Sequence, residues 1–296
     1  MKPANYSCFL GDESNCTNIL LVKRILASLS IAGSFAMIFL IWLFKKYQFF
    51  AQRLLLYLSI ACLINSITFL MADSVEPSPK CTFEAVMITI SVWAILLWVI
   101  LITFNLYWSA VAKKSTERFE IYYHLIGWGI PVVISVIPFS SNKYGPAGVW
   151  CWIENDPAWR FAIWYGPRFL IIFVLFLVYF YIFKYVRKQT SMWTGCHERE
   201  RELMRENVKP LMAYPLVYLL LSIFPLVNRI QNTVQPDNAS FTLYLLQIVS
   251  SSLKGAGNAI VFSMDKETFK HLNLADLRNA WSHRCSKSVV REYSTD

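Results

Sequence analysis

Charge is what this chain has least of. Asp, Glu, Lys and Arg make up 16% of its 296 residues, where a soluble domain carries roughly 25%. Enzyme signatures are missing too. There is no HExxH, no GxSxG and no phosphate loop, and the carboxylates within apolar stretches are scattered, so enzyme chemistry has no support. The histidines, His124, His197, His271 and His283, are dispersed without metal-ligand spacing; neither a metal nor a cofactor is implied. No internal repeat appears, in register or inverted, and repeats are the usual sequence trace of transporters. Residues 1–24 are polar and lack the basic-then-apolar order of a cleavable signal peptide, which leaves the first apolar segment as the expected insertion signal.

What the chain has in quantity is apolar length. Hydrophobic residues reach 56% and the mean hydropathy is +0.41. Seven long apolar stretches run over 25–44, 54–72, 83–108, 121–139, 161–186, 208–227 and 241–264. About 20 such residues cross a bilayer as a helix, and in lipid only a helix or a closed barrel satisfies its own backbone. The expectation is an all-α membrane protein. Residues 1–24 would form an extracellular segment, 25–264 a seven-transmembrane helix bundle, and 265–296 a cytoplasmic amphipathic helix and tail. Within that tail, Phe269, Leu272, Leu277 and Trp281 fall near helical spacing with basic residues between them, the pattern of a helix lying on a lipid surface.

The net charge of +9 could suggest a nucleic-acid partner; its distribution argues otherwise. Most of the 28 Lys and Arg fall in alternate loops and the tail, Lys45, Lys46, Lys113, Lys114, Arg187, Arg201 and Arg205 among them. The positive-inside rule puts those loops and the C-terminus in the cytoplasm, beside anionic lipid. Glycosylation sequons begin at Asn5, Asn15 and Asn238, and an odd number of spans places all of them outside, at a plasma membrane. Cys8, Cys16, Cys81 and Cys151 also fall outside, where disulfides persist. A Cys81–Cys151 bridge would pin the loop between spans four and five over the bundle mouth; Cys8–Cys16 is a second candidate. Cys62 is within a span, and Cys196 and Cys285 face the reducing side, Cys285 placed for palmitoylation.

Polar residues inside spans point to function, because a lipid-facing charge costs a few kcal/mol. Tyr218, Ser222, Pro225 and Arg229 follow steps of four, three and four in span six, and Gln247, Ser251, Lys254 and Asn258 repeat those steps in span seven. Each set shares one helix face. Arg168 joins them from span five, with Glu84 and Asp73 as acidic partners that could simply brace the bundle through ion pairs. The other reading is a net positive, outward-open pocket for a small anionic or polar ligand, with Arg168, Arg229, Lys254, Glu84, Gln247 and Trp152 as contacts. Pro131, Pro167, Pro215 and Pro225 should kink their helices. The alternating charges from His197 to Lys209 suggest that span six extends as a solvated helix toward a cytoplasmic partner.

The span count, the outside N-terminus and the Cys81/Cys151 arrangement resemble a G-protein-coupled receptor. More specific motifs are Gly145-Pro146 followed by Trp150-Cys151-Trp152-Ile153, His124 with Trp128-Gly129 and Pro131, Arg53-Leu54-Leu55-Leu56-Tyr57-Leu58-Ser59, Leu106-Tyr107, and Gly257-Asn258-Ala259-Ile260-Val261-Phe262. These resemble the cyclic AMP receptors of slime moulds and their animal relatives, the animal orphan branch above all, over about 53–264. The resemblance implies binding of an outside ligand and nucleotide exchange on a heterotrimeric G protein inside, met by Lys113, Lys114, Arg201 and Arg205. The chain departs from rhodopsin-type receptors: Asn105-Leu106-Tyr107 stands for Asp-Arg-Tyr, Asn258-Ala259 for Asn-Pro, and Cys62 for the span-two aspartate. The rival functions are a retinal photoreceptor built on Lys254 and a transporter or channel. Lys254 lies four residues before Asn258 instead of the opsin six, and the inner third of the bundle offers mainly Asn105 and Asn258 as polar groups.

Overall fold

The computed structural model describes residues 13–72, 76–147, 150–153, 156–192, 208–234, 240–265, 273 and 276–282. Helix α1 spans Glu13–Leu43, α2 Phe50–Met71 and α3 Pro79–Val111. The helix α4, over Glu117–Ser140, precedes a two-stranded hairpin of β1, Tyr144–Pro146, and β2, Cys151–Ile153. Helix α5 covers 157–192 and α6 covers Ala213–Val234. The last apolar stretch forms α7, Phe241–Ser252, and α8, Lys254–Met264. Among the described residues six helices are long and apolar enough to cross a membrane, which makes the chain a multi-pass membrane protein.

Helix α3 is the axis. It packs against α2, α4, α5, α6 and both strands, and Trp93, Ile95, Leu96, Trp98 and Ile102 on it are all buried. Its start is well defined: the Ser78 Oγ accepts from the Cys81 N–H at 3.1 Å, with Pro79 in the first turn, where its missing N–H costs nothing. Peripheral helices show the opposite pattern. Phe35 on α1, Val133 on α4, and Leu170 and Phe173 on α5 are exposed; acyl chains are the solvent that suits such surfaces. Several hydroxyls inside the spans donate to carbonyls one turn back, as Ser59 does to Leu55 and Ser222 to Tyr218, so these need no water to satisfy them.

Two features depart from the sequence expectation. Helix α1 begins at Glu13, well before residue 25. The stretch 241–264, expected as one span, is broken at Leu253. Close packing on α1 accounts for the break. A Cβ at Gly255 would lie 2.3 Å from the Ser34 Oγ and 2.5 Å from the Ser30 Oγ, so only glycine fits there. The Ala256 N–H, released by the break, donates to the Ser30 Oγ at 3.1 Å. Two prolines shape α4 and α5 in a shared way. Pro131 and Pro167 each lack an N–H and press on the carbonyl four residues back. The helix widens to a π-turn just before each, over Leu125–Gly129 and Phe161–Tyr165. The first π-turn presents Gly127 to Trp98; the second presents Trp164 and Tyr165 to the interior. Of the proposed tail helix, 276–282 is helical, and Trp281 sits against Phe39 and Trp42 of α1.

Candidate functional site

One end of the bundle is roofed by the hairpin, and three constraints hold that roof. The disulfide Cys81–Cys151 ties β2 to the first turn of α3. One turn further along α3, buried Glu84 accepts the Cys151 N–H at 3.0 Å. Arg160 donates from Nε and Nη2 to the Ile153 carbonyl, at 3.1 and 2.8 Å. Around the rim, Lys143 pairs with Asp156 at 3.0 Å. The Lys143 ammonium, helped by the Trp159 N–H, holds the Asp156 carboxyl below the usual carboxylate range. Tyr144 donates to the Ser135 carbonyl, and burial pushes its phenol up to about 12.

This roof carries tryptophans into the bundle. Trp152 is buried and meets the Trp164 ring edge-on at 4.9 Å. Trp150 stacks on Tyr244 at 5.6 Å. Beneath them lies a cavity of about 80 Å3, counted as room for the centres of water-sized spheres; one water needs roughly 10–15 Å3 in that measure. Its wall includes Trp150, Trp152, Trp164, Tyr165, Arg168, Ser222, Pro225, Arg229, Gln247, Ser251 and Lys254.

Three cations face this space, and among the described residues lining it there is no carboxylate. Lys254 is only 5% exposed, and its ammonium lies 5.5 Å from the centre of the Tyr218 ring. The Arg168 guanidinium sits 5.0 Å from the Trp164 ring centre, and its Nε has no hydrogen-bond partner among the described residues. The Arg229 guanidinium faces the rings of Trp152 and Tyr165 at 5.9 and 5.6 Å. Aromatic faces attract cations by about 0.5–2 kcal/mol, far less than a buried charge loses on leaving water.

The structure thus gathers Arg168, Arg229, Lys254, Gln247 and Trp152 at one cavity. Glu84 is not part of its lining and instead holds the hairpin. The polar stripes diverge at their ends: Tyr218 lies under Lys254, while Asn258 donates to the Cys62 Sγ at 3.5 Å. At the opposite end of the bundle, Lys113 closes α3 in the left-handed region, φ 54°, and exposed Lys114 follows it. Asn5, Asn238, Asp73, Arg201, Arg205, Cys8, Cys196 and Cys285 lie outside the described residues, as do the side chains of Asn15 and Cys16. Sequence reasoning missed Trp164 and Tyr165, whose cue was the Gly166-Pro167 pair behind the π-turn. It also missed Trp150 as a wall and Lys23, which is buried in α1 and donates to the Ala72 carbonyl.

A cationic, aromatic cavity under a disulfide-pinned hairpin is a geometry that can be compared with known proteins. The sequence pattern of the slime mold cyclic AMP receptor family matches residues 11–263. The chain belongs to that family. Its relatives include cyclic AMP receptor-like protein A of Dictyostelium discoideum, 26% identical over 91% of this chain and 71% of the relative. G-protein coupled receptor 1 of Arabidopsis thaliana is 28% identical, covering 86% and 79% of the two chains. G-protein coupled receptor 157 of Homo sapiens is 25% identical, covering 72% and 70%. The members are receptors, not enzymes, and receptor function extends to this chain with the family.

Proposed function

We propose that this receptor binds a small organic anion in the cavity beneath the hairpin and passes the event to a heterotrimeric G protein at the other end of the bundle. The observation that carries the reading is the set of cations facing one cavity whose described lining has no carboxylate. α7 and α8 together cover 241–264, roughly 36 Å at 1.5 Å per residue, enough for a hydrocarbon core of about 30 Å. They act as a seventh, broken span. The hairpin end, the segment 1–24 and the sequons at Asn5, Asn15 and Asn238 then face the exterior of the plasma membrane. The tail 265–296 faces the cytosol, and Lys113 and Lys114, with Arg201 and Arg205, form the G-protein surface.

Coupling follows from where the cavity sits. Pro225 lines it in mid-α6, and Lys254 lines it at the break between α7 and α8. An anion that draws Arg229 and Lys254 together acts on both interruptions, and each lets the helix beyond it swing. The ligand shifts the receptor only as far as it prefers the active arrangement. The family and one of the relatives above are named for cyclic AMP, which makes cyclic AMP the first anion to try. In cells carrying the receptor and a second-messenger reporter, a responding anion should lose at least about tenfold in potency on Arg168→Ala or Arg229→Ala, about 1.4 kcal/mol, at equal surface expression. Unchanged dose-response curves in both variants would remove the cavity from the account.

A further inference from the structure

The cavity has a side chamber, and its chemistry differs from that of the main one. It adds about 30 Å3 in the same measure and lies between α1, α2 and α7. Phe69, Trp150, Gln247 and Ser251 line both spaces, so the two are neighbours across a common wall. Ala72 and Ile248 complete the apolar lining. The chamber's one cation, Lys23, spends its ammonium on the Ala72 carbonyl at the end of α2. The surface that the side chamber presents is almost wholly apolar, where the main chamber's lining carries three cations.

Gln247 marks the boundary between them. It is 8% exposed, and its Oε1 accepts from the Asn228 Nδ2 at 2.6 Å. That bond fixes the amide plane and turns its NH2 away from Asn228. Among the described residues no partner takes those two hydrogens, and the side chain lines both chambers. A ligand acceptor at the boundary would give those hydrogens a partner.

Resting on the anion reading of the main chamber, we propose that the side chamber is a second subsite, which takes an uncharged, flat apolar group attached to the anion, with the Gln247 amide donating to the ligand between them. Ala72 then sets selectivity, since its methyl group decides how much room the chamber has. Burying a flat ring against Trp150 and Phe69 adds affinity that a bare anion lacks.

Methyl phosphate and phenyl phosphate carry the same charged group and differ by the ring, which makes them suitable probes. Each is titrated into the purified full-length receptor in lipid nanodiscs and followed by ligand-observed NMR. Phenyl phosphate should bind at least about tenfold more tightly than methyl phosphate. In Ala72→Leu, which fills the side chamber, that advantage should shrink to less than about threefold, with methyl phosphate affinity unchanged. Ala72→Val serves if the larger side chain prevents folding, as judged by the ligand-free melting midpoint. Equal binding of the two probes, or a ring advantage that survives a folded Ala72 variant, overturns the subsite. Absence of binding by both probes overturns the anion reading itself, and the subsite falls with it.

Discussion

The two ends of this bundle treat arginine in opposite ways. At the end away from the hairpin, Arg53 is fully matched. Its Nε and Nη2 reach the two carboxylate oxygens of Glu120 at 2.9 and 3.0 Å, and Nη2 also reaches Glu117 at 2.6 Å. Its Nη1 donates to the carbonyls of Tyr47 and Gln48, and Tyr57 donates to the same Glu120. At the hairpin end, Arg168 and Lys254 rest on aromatic rings, with no ion-pair partner among the described residues. One end spends its cations on the protein's own carboxylates, which fixes α2 to α4. At the other, Lys143 and Arg160 are likewise spent on the hairpin, and on the reading proposed above Arg168 and Lys254 are kept for a ligand. A matched guanidinium contributes to the fold; an unmatched buried one costs stability until its partner binds. The contrast separates scaffold from site without reference to any relative.

That contrast can be broken or sharpened by mutation. The largest effect is expected from Cys151→Ser. Removing a disulfide costs about 2–5 kcal/mol, and this one pins the roof, so the melting midpoint should fall and the ligand response should vanish with it. Next comes Glu120→Ala at the matched end. It strips Arg53 of its bidentate partner and should cost about 1–3 kcal/mol, read as a lower melting midpoint with anion affinity unchanged. Gly127→Ala is smaller. Its new Cβ would lie 2.6 Å from the Trp98 ring, and the overpacking should cost about 1–2 kcal/mol, again without touching the cavity. Asp156→Asn is the smallest. A carboxyl held below its ordinary range contributes stability that is whole above that range and is lost as pH falls through its folded-state value. The difference in midpoint between wild type and Asp156→Asn should therefore be present at neutral pH and close on acidification.

Much of the site was legible before the structure because a charge inside an apolar run is costly and stands out from its neighbours. Arg168, Arg229 and Lys254 stand out against their neighbours, and helical spacing turns Arg229 and Lys254 toward the same interior. Aromatic residues do not stand out in that way. Trp164 and Tyr165 are apolar among apolar residues, and only the π-turn ahead of Pro167 aims them at the cavity. Glu84 read from the sequence as an ion-pair partner or a ligand contact, whereas it accepts the Cys151 N–H, a role that depends on where the hairpin brings that group, a tertiary matter. Lys23 fell outside the apolar stretch 25–44 and so read as part of a polar leader, whereas α1 begins at Glu13 and carries it into the bundle. The break at Leu253 has Gly255 and Gly257 as its only local cue. Its cause is the approach of Ser30 and Ser34 on a helix more than two hundred residues earlier.

The central claim is that Arg168 and Lys254, which have no ion-pair partner among the described residues, gain one from a ligand, and Lys254→Met tests it most directly. Methionine keeps the volume and the apolar stem and removes the charge. The measurement is the melting midpoint of the ligand-free receptor beside that of Glu120→Ala in the same nanodiscs. Replacing an uncompensated buried charge should raise the midpoint, where Glu120→Ala lowers it. A midpoint that falls in Lys254→Met as far as in Glu120→Ala would mean that Lys254 is already matched within the protein, and the cavity would then be scaffold.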